Sequence, residues 1–326
     1  DDQLPFCYKI FSGVGDTFYD AFDCLIHEYG HFIENCMGNY DANLLDIIIN
    51  NPSHDWDQDL FEEKPTKFYA MKLVWTESWC DVFSQLAQEK YAVEYLSVAD
   101  FNNYQYDNYE YEQISSDIIS NTDVMNNLCE ANEYAVVCLL WDLYDNNPDE
   151  SFDDIYMSYQ EWWDLTMVND IGDLRELVQH IDLYMPEIRN NIAKIMEEYH
   201  ISPRELNIEN LNTAPNFTWK LGGSLNNPNN QFQIIIFDDE LNIVYQSSPI
   251  DDTSGHNDII TKQLFTEEEW NDFLESQSHT TNLYVSVAGY NNNSFLSGPY
   301  YSQYFKIHVN CSYDTYRPLN ATHHRV

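Results

Sequence analysis

The sequence predicts an α+β chain in two parts: a mainly helical lobe over residues 1–205 and an all-β sandwich over 213–312, followed by a tail over 313–326. Three observations predict it. Apolar residues recur at three- and four-residue steps through Phe22, Leu25, Ile26, Tyr29, Phe32, Ile33 and Cys36. A second helical pattern runs from Lys67 to Lys90. Past the stretch Ile201 to Pro215 the period drops to two, the alternation of half-buried strands.

Length and composition support two folded parts. The chain has 326 residues, and 44% are apolar, which is ample for a core. Its formal net charge is −41, from 55 acidic and 14 basic residues. That balance argues against nucleic acid, whose phosphates need Lys and Arg. It argues equally against an anionic membrane surface. It fits an extracellular or salt-tolerant surface, or one that favours cationic substrates. No run of about 18 apolar residues is present, so no membrane span is expected. The seven cysteines form no CxxC pair and no regular framework. Cys24, Cys36, Cys80 and Cys138 fall in helical segments and are expected to be buried free thiols.

The first helix carries His27-Glu28-Tyr29-Gly30-His31. Two histidines four apart lie one turn apart on one face. Both imidazoles can then reach one Zn²⁺, and the glutamate between them can act on a water that the ion activates. Asp16 or Thr17 suits the start of this helix and Gly38 its end. A buried helix with two hydrogen-bonded histidines would explain the same five residues. The second helix contains Trp75-Thr76-Glu77-Ser78-Trp79-Cys80-Asp81. Catalytic zinc usually takes three protein ligands, and Glu77 can complete a His, His, Glu set. Asp81, one turn on, can accept a hydrogen bond from a ligand imidazole and fix its tautomer. A solvated acidic face is the competing account of Glu77 and Asp81.

HEYGH followed by WTESWCD resembles the gluzincins, the zinc peptidases with HExxH and ExxxD helices, and most of all their secreted bacterial members. The resemblance implies zinc ligands at His27, His31 and Glu77, a general base at Glu28, and an imidazole-orienting role for Asp81. Ser78 stands where glycine is common in the family, and Cys80 where a small residue such as alanine is common. Neither change removes a ligand. The stretch from Asn132 to Asp145, an NE-aromatic-AV helix ending in LWDLYD, is similar to the helix that follows the second zinc helix in the same peptidases. The first part is then expected to be a zincin-type catalytic lobe, with residues 151–166 and 172–199 as two further helices. The family usually has a sheet before the first zinc helix. Residues 1–19 are short for it, so the chain is expected to be the C-terminal part of a larger precursor or to have that sheet reduced.

The implied function is a zinc-dependent endopeptidase with protein or peptide substrates, located outside the cell or on its surface. One zinc ion is expected, and Glu28 would take a proton from water and pass it to the leaving amine. The tetrahedral intermediate needs another donor, for which Tyr134, His180 and Tyr159 are the candidates. There is no G-x-S-x-G motif, and no cysteine has a convincing histidine partner. A binding or adhesion protein on a catalytically retired zincin fold is one alternative. Retention of Glu28 and of all three ligands speaks against it. A zinc aminopeptidase is another, and the G-x-M-E-N-like strand that would hold a free amine is not found.

The remaining stretches carry weaker signals. Residues 39–66 read as a connection, with His54 in a loop, and 97–127 as a Tyr-rich surface segment or lid. Asp and Asn are dense from 142 to 154, which makes Ca²⁺ a candidate there, but no EF-hand pattern appears and an acidic surface explains them equally. Strands are expected at 217–221, 232–237, 242–246, 284–288 and 301–309, with a turn at 226–230. A helix is expected at 266–276, with Glu267, Glu268 and Glu269 in its first turn. This part resembles a fibronectin type III domain, a spacer or binding platform for a protein or glycan. Asn216, Asn292, Asn310 and Asn320 lie in N-x-Ser/Thr patterns that matter only in a eukaryotic secretory setting.

Overall fold

The structure is a computed structural model that describes residues 18–37, 58–60, 67–95, 127–145, 154–169, 171–223, 228–252, 259–291 and 297–309. His54, residues 97–126, the asparagines at 292, 310 and 320, and the tail lie outside the described residues, as do the expected caps of the first helix. Helices and antiparallel sheets are both present, as an α+β chain requires. Cα packing divides the chain into two compact units, Asp1–Asn147 with Ile155–Leu177 and Pro148–Asp154 with Val178–Val326. No helix among the described residues is long and apolar enough to cross a membrane.

In the first unit, α1 (Phe18–Met37) and α2 (Lys67–Tyr95) follow the expected periodicity. Residues Leu73 to Cys80 of α2 are all buried, because the helix packs on α1 along one side and on α3 (Glu133–Asp142) along another. Gly30 sets the approach of α1 to α2. A Cβ there would stand 2.9 Å from Cys80 Sγ, and its backbone neighbour Cys80 Cα is as close as 3.3 Å. α3 starts at Asn132, whose side-chain oxygen accepts the N–H of Ala135 at 3.0 Å. Ser78 Oγ donates to Glu133 O at 3.2 Å and ties α2 to the first turn of α3. Trp79 anchors the far side: its ring stacks on Phe83 and Trp162, and its Nε1 donates to Thr166 Oγ1 at 3.0 Å.

Two expected helices are corrected. Among the described residues the first is helical only from Tyr159, because Ser158, itself extended, caps it in a reciprocal box with Glu161. This α4 (Tyr159–Trp163) widens into a π turn at Asp164–Val168. The second is broken at Met185. Pro186 has no N–H to donate and its ring clashes with the preceding turn, so α5 (Leu174–Tyr184) ends there. A 3-10 turn at Pro186–Ile188 leads into α6 (Arg189–Glu198). Cys80 and Cys138 are buried as expected, but Cys36 is exposed, since its place on α1 falls outside the face packed on α2.

The second unit holds two antiparallel sheets. One has the order β1-β2-β6, from Arg204–Glu209, Asn216–Lys220 and Ile259–Gln263. The other runs β4-β3-β7-β8, from Ile243–Gln246, Gln231–Phe237, Asn282–Asn291 and Ser297–Tyr301; β5 (Ile250–Asp251) joins β3 and β9 (Phe305–His308) joins β7. The period-two pattern sends alternate residues inward, so Phe217 and Trp219 of one sheet meet Phe232, Ile234, Val285 and Ile307 of the other in one apolar core. α7 (Glu267–Ser276) closes it with Trp270 and Leu274, capped by a Thr266–Glu269 box. Each such side chain contributes roughly 1.5–3 kcal/mol by leaving water. The expected strand at 301–309 is two strands with a break at Ser302–Tyr304, where Ser302 Oγ accepts the N–H of Val287. α6 belongs with these sheets: Glu197 accepts Gln303 N at 2.6 Å, and Arg189 lies over the rings of Tyr301 and Phe237.

Candidate metal centre

The helical periods of α1 and α2 place four of the expected residues at one point. His27 and His31 present Nε2 atoms 3.1 Å apart. Glu77 Oε2 lies 3.1 Å from His27 Nε2 and 3.4 Å from His31 Nε2. Asp81 Oδ1 lies 2.6 Å from His27 Nδ1, so in the neutral ring that nitrogen carries the proton and Nε2 is the lone pair. The imidazoles keep 19% and 18% of their surface, and Glu77 keeps 9%. The donors are therefore largely shielded from water.

These distances test whether the residues suit a metal ion. Donors about 2.0–2.1 Å from a tetrahedral centre stand roughly 3.3 Å from one another. The observed triangle of 3.1, 3.1 and 3.4 Å fits one face of that tetrahedron. Two imidazole nitrogens and one carboxylate are also the donor types that zinc takes in hydrolytic sites. The residues fit the ion.

The electrostatics point the same way. Burial alone would lower His27, but the bonds to Asp81 and Glu77 push it up to about 11. His31 is likewise pushed up to about 9, by Glu34 and Glu77 against burial. Burial raises Glu77, and its bonds to both imidazoles pull it well below the usual carboxylate range. A cluster that draws protons this strongly favours positive charge at its centre.

Glu34 is a residue that sequence reading missed. It is 2% exposed, with Oε2 3.9 Å from His31 Nδ1 and 3.8 Å from Cys80 Sγ. Cys80 Sγ itself lies 3.2 Å from His31 Nδ1. When His31 Nε2 is a lone pair, Nδ1–H points at the sulfur, and the thiol can donate onward to Glu34. The signal was available, since Glu34 sits three residues after His31 on the same helix face. Burial pushes Glu34 up to about 7.

The other expected residues are placed as follows. Glu28 is half-buried on α1 between the two histidines. Tyr134 is half-buried in the first turn of α3, next to Glu133, a buried carboxyl pushed up to about 9 by burial and by the charges of Asp81 and Glu77. Tyr159 stacks on Trp163 in α4. His180 lies in the second compact unit, its ring tilted against that of Tyr184 with centroids 4.7 Å apart. Comparison with protein-family models, with curated proteins and with solved structures finds no match.

Proposed function

We propose that the chain is a zinc-dependent endopeptidase of the gluzincin kind, with a zincin-type helical lobe, a fibronectin type III-like sandwich and protein or peptide substrates outside the cell. The observation that carries this reading is the triangle of His27 Nε2, His31 Nε2 and Glu77 Oε2, with Asp81 behind His27. Zinc held there supplies a Lewis acid for the scissile carbonyl and acidifies a water.

The chain's own residues do the rest. Asp81 fixes the His27 tautomer and ring orientation, so the imidazole needs no reorganisation. Cys80 and Glu34 do the same for His31. Glu28, half-buried and beside the first ligand, takes the proton of the attacking water and returns it to the leaving amine. Tyr134 is the candidate donor to the developing oxyanion.

The test is elemental analysis of wild type and Glu77→Ala, with chelator-sensitive hydrolysis of casein assayed beside it. At least one zinc per chain, with one equivalent lost in the variant together with proteolysis, is the expected result. Zinc without proteolysis would favour a retired, binding-only site. A well-folded wild type that takes up no zinc would sink the proposal.

A further inference from the structure

The cluster behind His31 has a composition that supporting a ligand does not require. Three different donors meet there: His31 Nδ1, Cys80 Sγ and Glu34 Oε2. Their separations are 3.2 Å from sulfur to nitrogen, 3.8 Å from sulfur to oxygen and 3.9 Å from nitrogen to oxygen. A zinc-like ion with bonds of about 2.3 Å to sulfur and 2.0–2.1 Å to nitrogen and oxygen would set tetrahedral edges of roughly 3.3–3.6 Å. Each observed edge lies within roughly 0.6 Å of its target, inside the reach of a small side-chain rotation.

Burial and space add two independent observations. Glu34 and Cys80 are 2% and 0% exposed, and the ion pairs given to Glu34 among the described residues are with an imidazole. A carboxylate so deeply buried needs a positive partner or a proton. Gly30, with no Cβ, leaves the space in which the sulfur reaches His31. The glycine of HEYGH and the cysteine of WTESWCD are thus matched across the two helices.

We infer that Glu34, Cys80 and His31 Nδ1 form a second cation station, for a thiophilic divalent ion, next to the first centre and sharing His31. The two nitrogens of His31 face opposite ways, so both stations can be filled together. Uptake forms bonds to sulfur, nitrogen and oxygen and releases the thiol proton and the Nδ1 proton to solvent. Thiolate ligation selects soft ions over Mg²⁺ or Ca²⁺. The station does not depend on the first centre binding zinc.

Cadmium is the probe, because its bond to thiolate gives a near-ultraviolet charge-transfer band. Metal-free, reduced full chain is titrated with Cd²⁺ while the band and the bound equivalents are followed. Wild type should bind two equivalents with one thiolate band. Cys80→Ala should bind one with no band. Glu34→Gln should weaken the band-forming equivalent at least tenfold, and Glu77→Ala should keep the band while losing the other equivalent. A band-forming ion in wild type with nothing at the first centre would uphold this station and sink the zinc reading above. Wild type without a band, a band that survives Cys80→Ala, or a band lost in Glu77→Ala would each overturn the station.

Discussion

The histidine cluster and the Arg189 cluster bury charge in opposite ways. Around the histidines, the carboxyls of Glu34, Glu77 and Asp81 each come within 3.9 Å of an imidazole nitrogen, and their ion pairs among the described residues are with those imidazoles. Around Arg189, one guanidinium meets one carboxylate, Asp182, at 2.5 Å, and its faces are covered by Tyr301 and Phe237 at 4.1 and 4.8 Å. The second cluster is balanced in charge: one guanidinium faces one carboxylate, and two aromatic rings pack over it. The first holds acid in excess of its permanent cations. An imbalance of that kind costs stability unless something positive fills it. The contrast separates a charge-matched joint of the fold from the cluster at which we propose a bound cation.

Glu28→Gln is the largest expected effect. The substitution keeps the shape of the side chain and removes the base. Peptidase turnover should fall about 10²–10⁴-fold, the usual worth of a positioned general base, with zinc content unchanged. Elemental analysis beside a casein assay checks both halves. Loss of zinc with activity would make Glu28 part of the binding site rather than the base. The matching change in the balanced cluster is Arg189→Met, which strands Asp182. Urea unfolding should show a loss of about 3 kcal/mol, with zinc content unaffected. A variant that also loses zinc would erase the distinction between the two clusters.

Much of the first cluster was legible in the sequence because helical spacing is rigid. His27 and His31, and Glu77 and Asp81, each stand four apart, and a helix leaves them no choice but one face. Glu34 and Cys80 were harder to see. Their roles arise from the close approach of α1 and α2 at Gly30, which is a tertiary fact. The sheets were readable where both faces are apolar or alternate cleanly, as in Phe232 to Phe237. β1 was hidden because Arg204, Glu205 and Glu209 read as a polar linker, and its register breaks between Arg204 and Asn207 with Glu205 at positive φ. β5 has only two residues and no pattern to read. The joint at Arg189 was not legible at all. Its ring partners, Phe237 and Tyr301, lie far away in sequence, and only packing brings them together.

Asp81→Asn asks how much orientation is worth inside the unbalanced cluster. Asn can still accept from His27 Nδ1–H, but it carries no charge to support the ligand. Zinc affinity, measured by competition with a chromophoric chelator, should fall about 10–100-fold. An unchanged affinity would mean that packing alone fixes the ring.

Glu197 gives the smallest effect and the sharpest control, because it is a half-buried carboxyl in the unit that holds the balanced pair. It accepts Gln303 N at 2.6 Å and Gln303 Nε2 at 3.0 Å, and burial outweighs these bonds and pushes it from 4.5 up to about 7. Between pH 4.5 and 7 the folded chain therefore keeps a proton that the unfolded chain has lost. Stability should fall as pH rises through that window and level off above it, with a slope of at most about 1.4 kcal/mol per pH unit from this group. Glu197→Gln removes the titrating carboxyl, so the difference between wild type and variant in urea midpoints should follow the same slope and then flatten. The difference should also be indifferent to zinc. A slope that appears only in metal-free protein would mean that the acids of the two halves respond to the same cation, and the histidine cluster would lose its special standing. A zinc-independent slope would leave the proton as the means by which one half neutralises its acid, separate from the cation proposed for the other.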